Sequence, residues 1–252
     1  MEGSTPFSPI SQLLGDKMKT DLEKEPVLDL GFVRLIDVMG DDTSVANAAR
    51  VSYDKHVREM TEKDEKLIKY LAKHDHTSPF RHAFLSFEIY APVMVARQWW
   101  KYVVGSDHTM DGWNEESRRY LSNEPKFYVP DGASWRSTPK KSKQGSGEPL
   151  SIEKGDKLTY ALTLLQEQAL QLYKSALEDG VAPELARLFL PANAQYTNWV
   201  WSGSLQSVSH FIAQRSKPDA QYEIREYAQA VHKLIKGIFP ISLSALLNGS
   251  DI

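Results

Sequence analysis

The chain has 252 residues, 41% hydrophobic and 25% charged, with a net charge of −3 from 30 basic and 33 acidic side chains. This suits one large globular domain or two small ones and lacks the basic excess of a duplex-binding protein, so no nucleic-acid polymer is expected as a partner. The absence of cysteine excludes disulfides, zinc–thiolate sites and thiol nucleophiles, and no apolar run reaches the length of about 18 residues that would predict a membrane span.

In chain order, residues 1–29 lack the charged-then-apolar layout of a signal peptide. Their Ser, Thr and Pro content predicts a flexible lead-in. LGFVRLIDVMG, Leu30 to Gly40, reads as a strand, and Ser44 to Tyr53 as a short helix with Ser44 as its cap. Leu67, Ile68 and Leu71 at helical spacing predict a helix over Thr61 to His74, with Thr61 and Asp64 at its front. Pro79 breaks the chain. Leu85, Phe87 and Ile89 alternate with Ser86 and Glu88, a strand pattern over Ala83 to Ala91. Pro92 is suited to the first position of the helix that VMVARQWWKYVV continues.

Residues 130–156 are rich in Gly, Ser, Pro and Lys and predict a mobile surface loop. A long helix follows, with Leu158, Leu162, Leu165, Ala169, Leu172 and Ala176 on one stripe and Gly180 as its stop. Three further helices are expected: one in APELARLFLP, one over Ser204 to Arg215 and one over Pro218 to Phe239. Strands gather early and helices late, without βαβ alternation, which gives an α+β fold.

Neither classical nucleotide loop, GxGxxG or GxxxxGK[ST], occurs, and there is no GxSxG elbow. His74, His76 and His82 straddle a helix end and Pro79, and read as surface or helix-end histidines; no metal site is expected. WNEESRRY, Trp113 to Tyr120, is the informative stretch. A run of charges is ordinarily a solvated face. Here the adjacent indoles Trp99 and Trp100 precede it and read as a packed platform. Ser117, followed by the guanidiniums of Arg118 and Arg119, has the hydroxyl and forked cations that hold a phosphate. Arg187 and Arg215 lie at later helix ends, where either an anion or a salt bridge to Glu184 or Glu223 would satisfy them.

The segment RQWWKY followed by WNEESRRY resembles the signature of the flavin-dependent thymidylate synthases, the cysteine-independent class, which runs Arg-Gln-Trp, Arg-His-Arg, then Asn-Glu-x-Ser-x-Arg-Tyr. NAARVSY, HDHTSPFRH, ELARLFLP and SVSHFIAQRSKPDAQYEIREYA resemble further family motifs, in the family's order, over roughly residues 30 to 240. The resemblance implies reductive methylation of dUMP to dTMP, a methyltransferase reaction. Methylenetetrahydrofolate would be the carbon donor and FAD, reduced by NADPH, the hydride source. It also implies a curved antiparallel-type sheet with long helices, a single catalytic domain over residues 30–252, a cytoplasmic homotetramer, and sites built from several subunits.

By position, Gln98, Glu115, Ser117, Arg119, Arg187 and Arg215 would bind dUMP, with Arg215 and Ser117 as the catalytic pair. Ser52, His76, Ser78, Ser204, Gln206 and His210 would contact FAD. Where the family carries its flavin-binding Arg-His-Arg, this chain has Lys101, Tyr102 and Val103, then the extra residues VGSDHTMDG, in which Asp107 or His108 could compensate. That departure motivates two alternatives: flavin-dependent modification of another pyrimidine nucleotide, and a non-catalytic flavin- or nucleotide-binding homologue.

Overall fold

A computed structural model describes residues 24–51, 56–104, 111–120, 123–140 and 145–247. Five strands form one antiparallel sheet in the order β1-β2-β3-β5-β4. They are β1 Lys24–Val27, β2 Gly31–Met39, β3 Phe84–Pro92, β4 Gly112–Glu115 and β5 Tyr196–Ser204. Eight α-helices accompany them among the described residues: α1 Asp42–Ala49, α2 Glu62–Lys73, α3 Val93–Val104, α4 Ile152–Glu178, α5 Pro183–Ala186, α6 Leu205–Arg215, α7 Tyr222–Ile235 and α8 Pro240–Leu246. The architecture is α+β, as the sequence implies. Among the described residues no helix is long and apolar enough to cross a membrane.

The sheet has one dry face and one wet face, the usual arrangement for antiparallel strands. Leu85, Phe87 and Ile89 of β3 and Trp199 and Trp201 of β5 are buried. They share one core cluster with residues of α3, α6 and α7. At its centre Trp99 of α3 stacks on Phe211 of α6 with ring centroids 4.1 Å apart, and meets Trp199 and Trp201 edge-on at 5.4 Å each. The polar partners of the same strands pair with one another. Arg34 meets Glu88 at 3.3 Å, Asn198 donates to Glu88 at 3.1 Å, and the Ser86 and Ser202 hydroxyls are 2.8 Å apart.

Several boundaries move from their sequence-based positions. Lys24–Val27, inside the expected lead-in, form β1 and pair with Gly31–Arg34. The cap of α1 is Asp41, whose carboxylate accepts from Ser44 N at 2.9 Å; Ser44 instead answers from the third helical position, accepting from Asp41 N at 3.2 Å. A carboxylate suits the positive end of a helix better than a hydroxyl does. Pro92 does not open α3; it closes β3, opposite Tyr196. The indole pair splits: Trp99 is buried, while Trp100 is exposed and rests against Trp113.

The stripe expected on α4 is buried only at Ala169 and Ala176. Leu158, Leu165 and Leu172 are exposed, while Gly155, Gln166, Ala169, Tyr173 and Ala176 face inward. Gln166 is held there by donating to the Tyr128 carbonyl at 3.1 Å. Tyr173 and Ala176 join Ala186 and Leu190 in a second, smaller cluster. The described part of the 130–149 segment is tied down by several bonds. Trp135 Nε1 donates to Thr159 at 2.9 Å, Thr159 donates to the Pro130 carbonyl at 2.7 Å, and Arg136 bridges to Pro149.

Helix α8 lies beyond any helix the sequence pattern predicts, and its cap is remote in sequence. The buried Asp42 carboxylate accepts from Ile241 N and Ser242 N, each at 2.8 Å, at the N-terminus of α8. Replacing it leaves two N–H groups at the start of α8 unpaired, that of Ser242 buried. We expect Asp42→Ala to lower unfolding free energy by about 2 kcal/mol, read as a shift in urea midpoint at constant slope.

Candidate active site

Helix α3 leaves β3 directly, and its 3.6-residue turn gives it two working faces beside the buried one. Met94, Gln98 and Tyr102, each one turn apart, line a cleft of about 740 Å³. Val93 and Arg97 line a second cleft of about 470 Å³. The segment after Pro191 separates them: Asn193 and Ala194 face the first, Ala192 and Gln195 the second.

In the first cleft, the last residue of α6 meets α3. The Arg215 guanidinium lies 3.8 Å from the Tyr102 ring centroid, and its Nη2 donates to the Tyr102 hydroxyl at 2.5 Å. Its Nε is buried and has no hydrogen-bond partner among the described residues. Gln98 donates to Gln221 at 2.5 Å, and Gln221 donates to Glu223 at 2.7 Å. Tyr128 approaches the same carboxylate at 3.5 Å. Burial, and then the Glu223 charge, push the Tyr128 phenol well above its usual range, so it remains a proton donor at neutral pH. The cleft thus presents a cation, an amide and a phenol against apolar walls, the usual make-up of a small-molecule site.

The second cleft is built by WNEESRRY, whose first half is β4 paired to β5. Glu115 accepts from Thr197 at 3.2 Å and lies 3.9 Å from Arg97. Ser117 Oγ accepts from Arg119 Nε at 3.2 Å, leaving its own proton for a ligand. Arg118 is buried, donating to the Asn123 carbonyl at 2.6 Å, while Arg119 is exposed. Burial raises the neighbouring Glu116 carboxyl above its ordinary range. Arg187 faces the same cleft and donates to the Glu184 carbonyl at 3.2 Å. The salt bridges that would compete for Arg187 and Arg215 do not form: neither guanidinium pairs with a carboxylate among the described residues.

His76 and Ser78 sit in a third cleft of about 560 Å³, with Thr77 and Arg81. The remaining flavin candidates scatter. Ser204 is the N-cap of α6, accepting from Ser207 N at 3.2 Å. Gln206 Oε1 is buried without a partner among the described residues. The His210 ring is 6.4 Å from that of Tyr102. Lys101 is exposed at the end of α3. The Val103 side chain packs in the main core and offers a ligand nothing polar. Ser52, Asp107 and His108 lie outside the described residues.

One chain therefore joins Gln98 to Arg215, and Glu115 and Ser117 to Arg187, but does not join the two sets. Sequence reading misses Tyr128, Trp135, Arg136, Gln221 and Tyr222 in the first cleft, and takes Glu223 only for a salt-bridge partner. The available signal for the last three is their position at the start of α7, within QYEIREYA.

The family model described as "Thymidylate synthase complementing protein" matches residues 34–241. A flavin-dependent thymidylate synthase of Thermus thermophilus is 41% identical over 220 residues, covering 87% of this chain and 77% of the relative. One from Thermosipho africanus is 38% identical over 224 residues, covering 88% and 92%. Among solved structures, a UMP/dUMP methylase, PolB from Streptomyces cacaoi bound with 5-Br dUMP, superposes with a TM-score of 0.75 at 27% identity, covering 86% of this chain and 95% of that one. The form bound with 5-Br UMP gives 0.74.

Proposed function

This chain belongs to the thymidylate synthase complementing protein family, and from that premise we propose that it is a flavin-dependent thymidylate synthase, methylating dUMP to dTMP with methylenetetrahydrofolate as carbon donor and NADPH as reductant. The observation that carries this reading is the cleft in which Arg215 and Gln98 converge, in a chain without a cysteine. Methylation at C5 of uracil needs electron density at that carbon. A thiolate added at C6 would provide it, but this chain has no thiolate to offer.

Arg215 supplies electrostatic help instead. A guanidinium directed at the pyrimidine stabilises negative charge developing on the ring oxygens. Tyr102 holds that guanidinium by ring and hydroxyl together, so little reorganisation is needed as charge develops. Gln98, fixed through Gln221 and Glu223, is positioned to read the polar edge of the base. Ser117, Arg119 and Arg187, with Glu115 beside them, supply hydroxyl and forked cations for the phosphate. Because Gln98 and Arg215 open into one cleft of a protomer and Glu115, Ser117 and Arg187 into another, we assign the complete site to a homotetramer in which one subunit's phosphate-binding residues face another's base pocket. The exposed Leu158, Leu165, Leu172, Leu188 and Phe189 support self-association.

The residues present fit a flavin dinucleotide. Gln206 carries a buried Oε1 without a partner among the described residues, and the third cleft offers Ser78, His76 and Arg81 for phosphate and polar edges. Those residues, with His210, would hold FAD, and Lys101 and Tyr102 would flank it in place of the family triplet. Bound FAD supplies the hydride that completes the methyl group.

A second reading has a specific support, the likeness to a UMP/dUMP methylase. Product analysis with dUMP and UMP side by side tests both. The proposed function expects dTMP from dUMP and little product from UMP; preferred turnover of UMP would replace it with the second reading.

A further inference from the structure

The sequence between Val129 and Ser151 carries none of the family motifs, yet its described residues form one wall of the first cleft. Pro130, Ser134, Trp135, Arg136, Gly145 and Ser146 all line it. This wall is built rather than incidental. Ser134 N is held by Asp131 at 2.8 Å, Leu150 N donates to the Trp135 carbonyl at 2.7 Å, and Ser137 N donates to the Glu148 carbonyl at 2.9 Å. Gly145 lies so close to Asp219, on the turn between α6 and α7, that an added Cβ would come within 3.2 Å of the Asp219 carbonyl oxygen. The loop therefore docks against that turn.

The side chain it delivers is Arg136. Its guanidinium lies 4.0 Å from the Tyr222 ring centroid, a second cation–ring pair in the lining beside Arg215 and Tyr102, which show the same arrangement at 3.8 Å. A guanidinium stacked on a ring spends its face there and keeps its in-plane N–H donors free. Among the described residues, Arg136 makes no side-chain hydrogen bond and no ion pair, although Asp219 and Glu223 line the same cleft. A half-buried cation with its donors free and a rigid aromatic backing is preorganised for a planar or tetrahedral oxyanion.

We propose that Arg136 is a ligand-binding residue of this cleft, holding a phosphate or carboxylate group of a molecule seated there. The proposal rests on the proposed function, in which this cleft holds the base of dUMP and the carbon donor must reach that base. Two sources carry that chemistry, the phosphate of dUMP and the glutamate carboxylates of the folate.

Calorimetric titration of wild type and Arg136→Ala distinguishes them, using dUMP, deoxyuridine, and tetrahydrofolate bearing one or several glutamates. Loss of a charge-assisted contact is expected to weaken the relevant ligand about tenfold or more, with partial recovery in Arg136→Lys. Weakening of dUMP but not of deoxyuridine assigns the phosphate. Weakening of folate that grows with glutamate number assigns the carboxylates. Affinities within about twofold of wild type for every ligand overturn the proposal and leave the dUMP reading intact. Equal weakening of charged and uncharged ligands also overturns it, since a merely structural role gives that result. If wild type binds neither dUMP nor folate, the reading of the cleft fails and the proposal falls with it.

Discussion

Arg215→Ala is expected to lower kcat for dUMP by roughly 10²–10³, the usual cost of removing one strong donor from a developing anion. The position of this guanidinium explains the size of the effect. It ends α6, is stacked on Tyr102, and keeps a buried Nε without a partner among the described residues, in the cleft that also holds Gln98. Removing it strips charge from the reaction field and little from the core, because its contacts are to one phenol at the cleft wall. The melting temperature should therefore stay near that of wild type. Arg215→Lys keeps the charge but loses the fork and the flat stack, so intermediate activity is expected. Ser117→Ala should also impair turnover, but through a higher KM for dUMP, since a hydroxyl on the phosphate binds ground and transition states alike. Near-normal kinetics in both alanine variants would remove these residues from the site.

Trp99→Ala is expected to have the largest effect on stability, about 3–5 kcal/mol, the range for deleting a fully buried aromatic side chain. Trp99 is wholly buried and touches the rings of Trp199, Trp201 and Phe211, tying α3 and α6 to the inner strand β5. The vacated volume cannot be filled by collapse, because its other walls belong to a sheet strand paired on both sides. Chemical denaturation reads this directly. Trp100→Ala is the matched control: its ring is exposed and meets chiefly Trp113, so the loss should stay near the spread of surface substitutions, about 0.5 kcal/mol.

That contrast between neighbouring tryptophans illustrates what the sequence can and cannot reveal. Local signals are readable: β3 from its alternation, α2 from Thr61 and Asp64, and α6 from its span after Ser204. β5 is not, because YTNWVWSGS mixes Asn, Ser and Gly with its buried tryptophans and its stability comes from two flanking strands. β4 is four residues long and hidden inside a charged motif. α4 is legible as a helix but only in part in its orientation. Leucines cover more than one side of it, and the packed side favours Gly155, Ala169 and Ala176, which permit close approach. α8 depends on Asp42, a cap supplied from the other end of the chain, which no local pattern can announce.

The candidate site divides in the same way. The chemistry of Ser117, Arg187 and Arg215 is visible from residue type and spacing. Which of these three side chains share a cleft is not, because that depends on how α3 exposes Gln98 and Arg97 on different faces. Residue type alone does not separate Arg118 from Arg119; only the motif Asn-Glu-x-Ser-x-Arg-Tyr, with Arg118 at a variable position, does so. The structure buries Arg118 against the Asn123 carbonyl, where it shapes the loop, and leaves Arg119 exposed beside Ser117.

The most direct test of the proposed function is tritium release from C5-labelled dUMP in the presence of FAD, NADPH and methylenetetrahydrofolate, with each omitted in turn. The expected result is release coupled to dTMP formation and lost when FAD or NADPH is left out. Tritium release and dTMP formation that persist without flavin, or no release from enzyme that binds dUMP, would contradict it.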